Sequence, residues 1–141
     1  MLQVITLPND MWNQTKKNIE EIISKYIYYN LSIDSGSDFK LGEDYTYKMI
    51  NRDDINNEYV KLSDDEIEKR INYINYVRFS FNKLTTMERK IIYWTYIDKE
   101  NNYDDSFIAN NLGFSLGYYY IKKKDALITF AYSLGVEKTK D

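Results

Sequence analysis

Ile67, Ile71, Ile74, Val77, Phe81 and Leu84 follow one another at intervals of three and four, which places them along one face of an amphipathic helix. Ser63 and Glu66 precede that stripe as a capping box, each side chain spaced to accept the other's backbone N–H. The pattern predicts a helix of about twenty residues, about 30 Å long at about 1.5 Å per residue. Thr85 and Glu88 repeat the box and open a further helix from Met87 to about Ile97, carrying Ile91, Ile92, Trp94 and Tyr96. Towards the N-terminus, Trp12, Thr15, Ile19, Ile22, Ile23, Tyr26 and Ile27 form a second stripe. It predicts a long helix that Pro8-Asn9-Asp10 opens and that runs to about Asn30. Between Leu31 and Asn57 the periodicity fails, and Asn, Asp, Ser and Gly take over. That stretch reads as a mobile linker with one short helix near Tyr45 to Arg52, dividing an N-terminal part (1–60) from a domain (61–141).

Residues 105–127 hold the most specific pattern. A short helix from about Asp105 to Leu112, capped by Asp104, shows Ile108, Ala109 and Leu112 on one face. Gly113 stops it, because glycine accepts the left-handed backbone common at helix C-termini. Ser115 is placed to cap the next helix, which continues through Leu127, Phe130, Ala131 and Leu134 until Gly135 ends it before a charged tail. Two helices joined by a tight glycine turn form the helix-turn-helix pattern, whose second helix enters the major groove of DNA. Ala109 falls where the helices cross closely, Gly113 comes four residues later, and Tyr119 fills the angle six beyond that. Lys122, Lys123 and Lys124 then supply a local cationic patch of the kind that phosphate binding requires. The expected class is all-α: an N-terminal amphipathic helix, a linker and a C-terminal four-helix domain.

Composition narrows the chemistry. The 141 residues are 43% hydrophobic and 29% charged, which suits a folded chain with a real core. Neither histidine nor cysteine occurs, so disulfides, thiolate metal sites and imidazole catalysis are excluded, and neither an enzyme nor a cofactor is expected. The acidic pairs Asp53-Asp54, Asp64-Asp65 and Asp104-Asp105 each fall at a helix start, where negative charge is favourable, and read as caps and first-turn acids. No apolar run reaches membrane-spanning length, and the first seven residues do not make a signal peptide; a cytoplasmic protein without a membrane partner is expected. A net charge of −3 is unevenly spread: residues 1–60 hold six basic and ten acidic side chains, residues 61–141 thirteen and twelve. The acidic half is expected to face away from DNA or to meet another partner.

The ordered set Leu84-Thr-Thr-Met-Glu-Arg89-Lys-Ile-Ile92, Tyr103-Asp-Asp, Ile108-Ala-Asn-Asn-Leu-Gly-Phe-Ser115, Tyr119-Tyr120, Lys123-Lys124, Ala126-Leu127, Phe130-Ala131 and Leu134-Gly135 resembles the ArpU-type transcriptional regulators of bacteriophages and related mobile elements. Thr15-Lys-Lys, Ile22-Ile-Ser-Lys-Tyr26 and the polar linker fit the same layout, so the resemblance spans nearly the whole chain. The C-terminal part is similar to region 4 of bacterial sigma factors, in which a helix-turn-helix reads an upstream promoter element. The resemblance implies an activator of late genes, those for packaging, structure and lysis. Two departures stand out. Lys122 occupies a position that is usually aliphatic, and Leu116, Gly117, Tyr118 and Tyr120 stand where Arg, Gln and Asn commonly read bases.

The candidate DNA-binding residues divide by role. Tyr118 and Tyr120, with Ile121 and Gly117, are expected at base edges; Ser115, Lys122, Lys123 and Lys124 at the backbone; Arg89 and Lys90 at a flanking phosphate. Thymine methyls would suit the apolar and phenolic groups, with DNA shape supplying part of the specificity. Double-stranded DNA is the expected partner. A lone helix-turn-helix buries little surface, so a homodimer or host RNA polymerase is expected to assist, through the N-terminal helix and the acidic segment. A small-terminase-like packaging protein or a purely protein-binding helical adaptor would satisfy the same pattern. The regulator reading requires the Tyr118–Lys124 helix to stand proud of its scaffold with its ammonium groups free of carboxylates.

Overall fold

The computed structural model describes residues 9–33, 44–55, 60–98 and 101–136; Pro8, residues 34–43 and 56–57 of the linker and the charged tail lie outside them. The fold is all-helical, with α1 Asn9–Ser32, α2 Asp64–Asn82, α3 Thr86–Ile92, α4 Asp105–Leu112 and α5 Leu116–Leu134, and no strand among the described residues. A 3-10 turn at Arg52–Asp54 precedes α2, and a π-helical turn at Tyr93–Ile97 extends α3.

The apolar stripes set the packing. Ile19, Ile23 and Tyr26 of α1 meet Ile67, Ile71, Ile74, Val77 and Phe81 of α2, together with Ala126, Leu127, Phe130, Ala131 and Leu134 of α5, and Thr15 of α1 is buried as well. α2 and α5 run antiparallel. Phe81 meets Phe130 edge-on at 6.0 Å between ring centres, and the Tyr76 hydroxyl donates to the Leu134 carbonyl. Between those contacts Ser80 and Ser133 each donate to the other's carbonyl, at 3.3 and 3.0 Å. The boundary expected at residue 60 marks no break in the packing, because α1 shares this main core with α2 and α5.

The linker expectation needs correction within residues 44–55. Residues 46–51 form no helix; they lie along α2 with Tyr47 and Ile50 buried. Asn82 accepts the Tyr47 N–H and donates to the Tyr47 carbonyl, both at 2.9 Å; Asn75 does the same for Ile50, both at 2.8 Å. Between them Arg78 donates to the Lys48 carbonyl, the Tyr26 hydroxyl and Asn30 Oδ1, each at 3.0 Å. Asn75, Arg78 and Asn82 fall on one helix face at spacings of three and four, so three side chains satisfy an irregular backbone that would otherwise compete for water.

Helix boundaries follow local chemistry. Ser63 caps α2 by accepting the Glu66 N–H, and Thr85 with Glu88 closes a full capping box at α3. α3 was expected to run as one regular helix to Ile97; instead its last turn widens, with the Asp98 N–H reaching the Tyr93 carbonyl at 2.8 Å. The wider turn distributes its side chains, sending Tyr93, Tyr96 and Ile97 to the main core and Trp94 to a smaller one.

Candidate nucleic-acid interface

α3, α4 and the N-terminal half of α5 enclose that smaller core: Ile91, Ile108, Ala109 and Tyr119, flanked by Met87, Trp94, Tyr103, Leu112 and Phe114. Asp104 caps α4 by accepting the Phe107 N–H at 2.8 Å. Gly113 then adopts φ +76°, and the Phe114 N–H reaches back to the Ala109 carbonyl at 2.9 Å. Ser115 caps α5 through the Tyr118 N–H. The result is a helix, a three-residue turn and a second helix, with the small Ala109 at the crossing and Tyr119 in the angle.

Tyr119 is fully buried while its neighbours are not: Leu116, Tyr118, Tyr120 and Ile121 are 42, 46, 49 and 59% exposed. At about 100° per residue, Gly117, Tyr118 and Ile121 share the outward face of α5. Lys122 borders it on one flank, and Tyr120 and Lys124 border it on the other. Phe114 packs edge-on against Tyr118 at 4.9 Å between ring centres, which holds that phenol upright at the helix start. Asp125 follows one turn beyond Ile121 on the outward face, so a carboxylate closes the surface after two turns.

The three lysines fare differently. Lys122 Nζ sits 5.2 Å from the centre of the Tyr118 ring, and Lys124 Nζ lies 5.2 Å from the Trp12 ring of α1. Lys122 is partly buried and Ile121 lies outside, so the helix keeps the orientation that Tyr119 sets, and the Lys122 stem runs along the surface. Lys123 does not meet the expectation of a free ammonium: it is bound to Asp105 Oδ1 at 3.1 Å, with its side chain 19% exposed. The same carboxylate oxygen accepts the Tyr119 hydroxyl at 3.0 Å. Asp105 thus locks α4 to α5. Burial, with help from the nearby Asp105 charge, pushes the Tyr119 phenol well above the ordinary tyrosine range.

Arg89 also departs from expectation. Its guanidinium is buried and donates to the carbonyls of Asn82, Leu84 and Asp44 and to Thr86 Oγ1. Those carbonyls include orphans at the C-terminus of α2, which a cation satisfies and whose dipole it complements. It is therefore unavailable to a phosphate. Lys90 lies 5.5 Å from the Tyr45 ring.

Trp12 and Lys16 were not among the sequence candidates, yet both line a cleft of about 350 Å³ beside Tyr120, Lys123 and Lys124. Trp12 and Lys16 stand four apart on one helix face, a spacing that reveals their proximity to each other but not to α5. The acidic pairs fall at or beside helix starts: Asp54 accepts the Asn51 N–H, Asp64 pairs with Arg52, and Asp104 caps α4. No group of three or more metal-ligating side chains occurs among the described residues, and no described helix is long and apolar enough to cross a membrane. Compared with protein-family models, with curated proteins and with solved structures, the chain matches none.

Proposed function

We propose that the chain is a sequence-specific DNA-binding transcriptional regulator, an activator of late genes in a phage or related mobile element, reading a promoter-proximal site with the first two turns of α5. The observation that carries this reading is the outward face of Gly117, Tyr118 and Ile121, flanked by Lys122 and Lys124, on a helix anchored by buried Tyr119. A groove floor offers base edges between two phosphate rails, and this face offers an apolar strip between two cations. Ile121 suits a thymine methyl, the Tyr118 hydroxyl can exchange hydrogen bonds with a base edge, and Gly117 lets the backbone approach closely. Ser115 and the free N–H groups of the first turn suit a phosphate. Tyr120 stands on the Lys124 flank, nearer a backbone than a base. A second copy or RNA polymerase would supply the remaining affinity.

Selection of bound duplexes from a random pool, followed by anisotropy titration with the full chain, tests the reading. The selected duplex should bind about a thousandfold more tightly than random sequence, and affinity should fall steeply between about 50 and 200 mM salt. Tyr118→Ala should lower the preference for the selected sequence far more than it lowers binding to random DNA. Absence of salt-dependent binding would leave a protein-binding adaptor; a large ring by light scattering would favour packaging.

A further inference from the structure

The cleft between α1 and α5 has a chemistry that its packing does not use. Trp12 and Lys16 form one wall, and Tyr120, Lys123, Lys124 and Leu127 form the other, with Asp105 at its edge. Asp105 is spent on Lys123 and Tyr119. Lys16 and Lys124 have no ion pair among the described residues, which leaves two ammonium groups at the cleft, that of Lys124 5.2 Å from the centre of the Trp12 ring. The Tyr120 hydroxyl, half-exposed at the rim, adds a hydrogen-bond donor. Two cations and a neutral donor around an open cleft suit a phosphodiester, which carries one delocalised charge and accepts several hydrogen bonds. The cleft opens on the flank of α5 that holds Tyr120 and Lys124, next to the outward face of Gly117, Tyr118 and Ile121.

We infer that this cleft holds the DNA backbone alongside the groove that α5 enters, so that α1, through Lys16 and Trp12, is part of the DNA-binding surface and not only a packing helix. The inference rests on the DNA-binding reading of α5 and extends it to a helix more than a hundred residues away in sequence. It changes the assignment of the N-terminal helix. The end of α1 that bears Trp12 and Lys16 faces the duplex, and any contact with polymerase or a second copy must use other surfaces. Lys124 then has two roles: its ammonium rests over the Trp12 ring, tying α5 to α1, and its charge is shared with the phosphate.

The test compares the wild-type chain, the double variant K16Q/K124Q and the charge-preserving K16R/K124R, each titrated against the selected duplex from about 50 to 200 mM salt. Removal of two phosphate contacts should flatten the slope of log affinity against log salt by about 1.8, weaken binding to selected and random DNA alike, and leave the thermal midpoint within a few degrees. The arginine pair should restore the slope. A W94F background leaves Trp12 as the sole indole, and its emission should change as the duplex saturates. K16Q alone should flatten the slope by about 0.9; if the wild type binds DNA but the K16Q slope is unchanged and Trp12 emission does not respond, the cleft assignment is wrong while the reading of α5, which does not use Lys16, stands. If the wild type binds no DNA, both fall.

Discussion

Among the described residues, the main core gathers twenty-two buried apolar side chains from α1, α2, α5 and the segments between, whereas the smaller core under the candidate interface has four. The main core is also fastened by polar contacts across its layers: Asn75 and Asn82 to the 46–51 backbone, Arg78 to α1, and the Ser80–Ser133 exchange. The smaller core relies on Tyr119 and on the single carboxylate of Asp105, which serves both the Tyr119 hydroxyl and Lys123. α5 belongs to both, its second half deep in the main core and its first half held on one side only. A surface that must fit a partner can thus be supported by few contacts of its own, provided a rigid neighbour carries the helix that presents it.

The main core is most vulnerable at Arg78, which is 1% exposed. Arg78→Ala leaves a cavity and strands Tyr26, Asn30 and the Lys48 carbonyl, so it should cost roughly 4–5 kcal/mol and unfold the chain as a whole. Urea denaturation followed by far-ultraviolet circular dichroism would read it; a loss under about 1 kcal/mol would show that the clasp on residues 46–51 is dispensable. Tyr119→Ala should cost about 3 kcal/mol, but locally. Hydrogen exchange should quicken in α4 and the first two turns of α5 while α1 and α2 keep their protection. Uniform loss of protection would mean that the two cores are one cooperative unit.

Alkali should loosen both cores by a smaller amount. Burial raises the phenols of Tyr26, Tyr47, Tyr73, Tyr76 and Tyr96 around the main core, with Tyr73 and Tyr96 pushed up to about 12, and raises Tyr119 in the smaller core. A phenol whose folded pKa lies above its unfolded value of about 10 holds its proton more tightly in the fold. Its contribution to stability is therefore complete below about pH 10 and is lost as pH rises through about 12. Urea midpoints should hold from about pH 9 to about 10 and fall from there to about pH 11.5; a constant midpoint would contradict the raised phenols.

Much of the helix layout was legible because its signals are local. Asp104, Gly113, Ser115 and Gly135 each fix their backbone within four residues, and α4 and α5 begin and end where those residues require. The six-residue stripe from Ile67 to Leu84 is buried throughout. What sequence did not reveal depends on partners far along the chain. Asn75, Arg78 and Asn82 read as ordinary polar positions on a helix until the 46–51 segment is laid against them. Arg89 and Lys123 looked like surface cations, and each is engaged by groups that periodicity cannot place: the end of α2 for one, Asp105 for the other. Trp12 and Lys16 join the candidate surface because α1 packs across α5, a tertiary fact with no local signature.

Backbone-amide chemical-shift mapping of the full chain with the selected duplex tests the central claim most directly. The largest changes should fall at residues 115–122, with a second set around Trp12 and Lys16 and little at Tyr132 near the C-terminus of α5. A duplex that binds while residues 115–122 remain unmoved would contradict that claim.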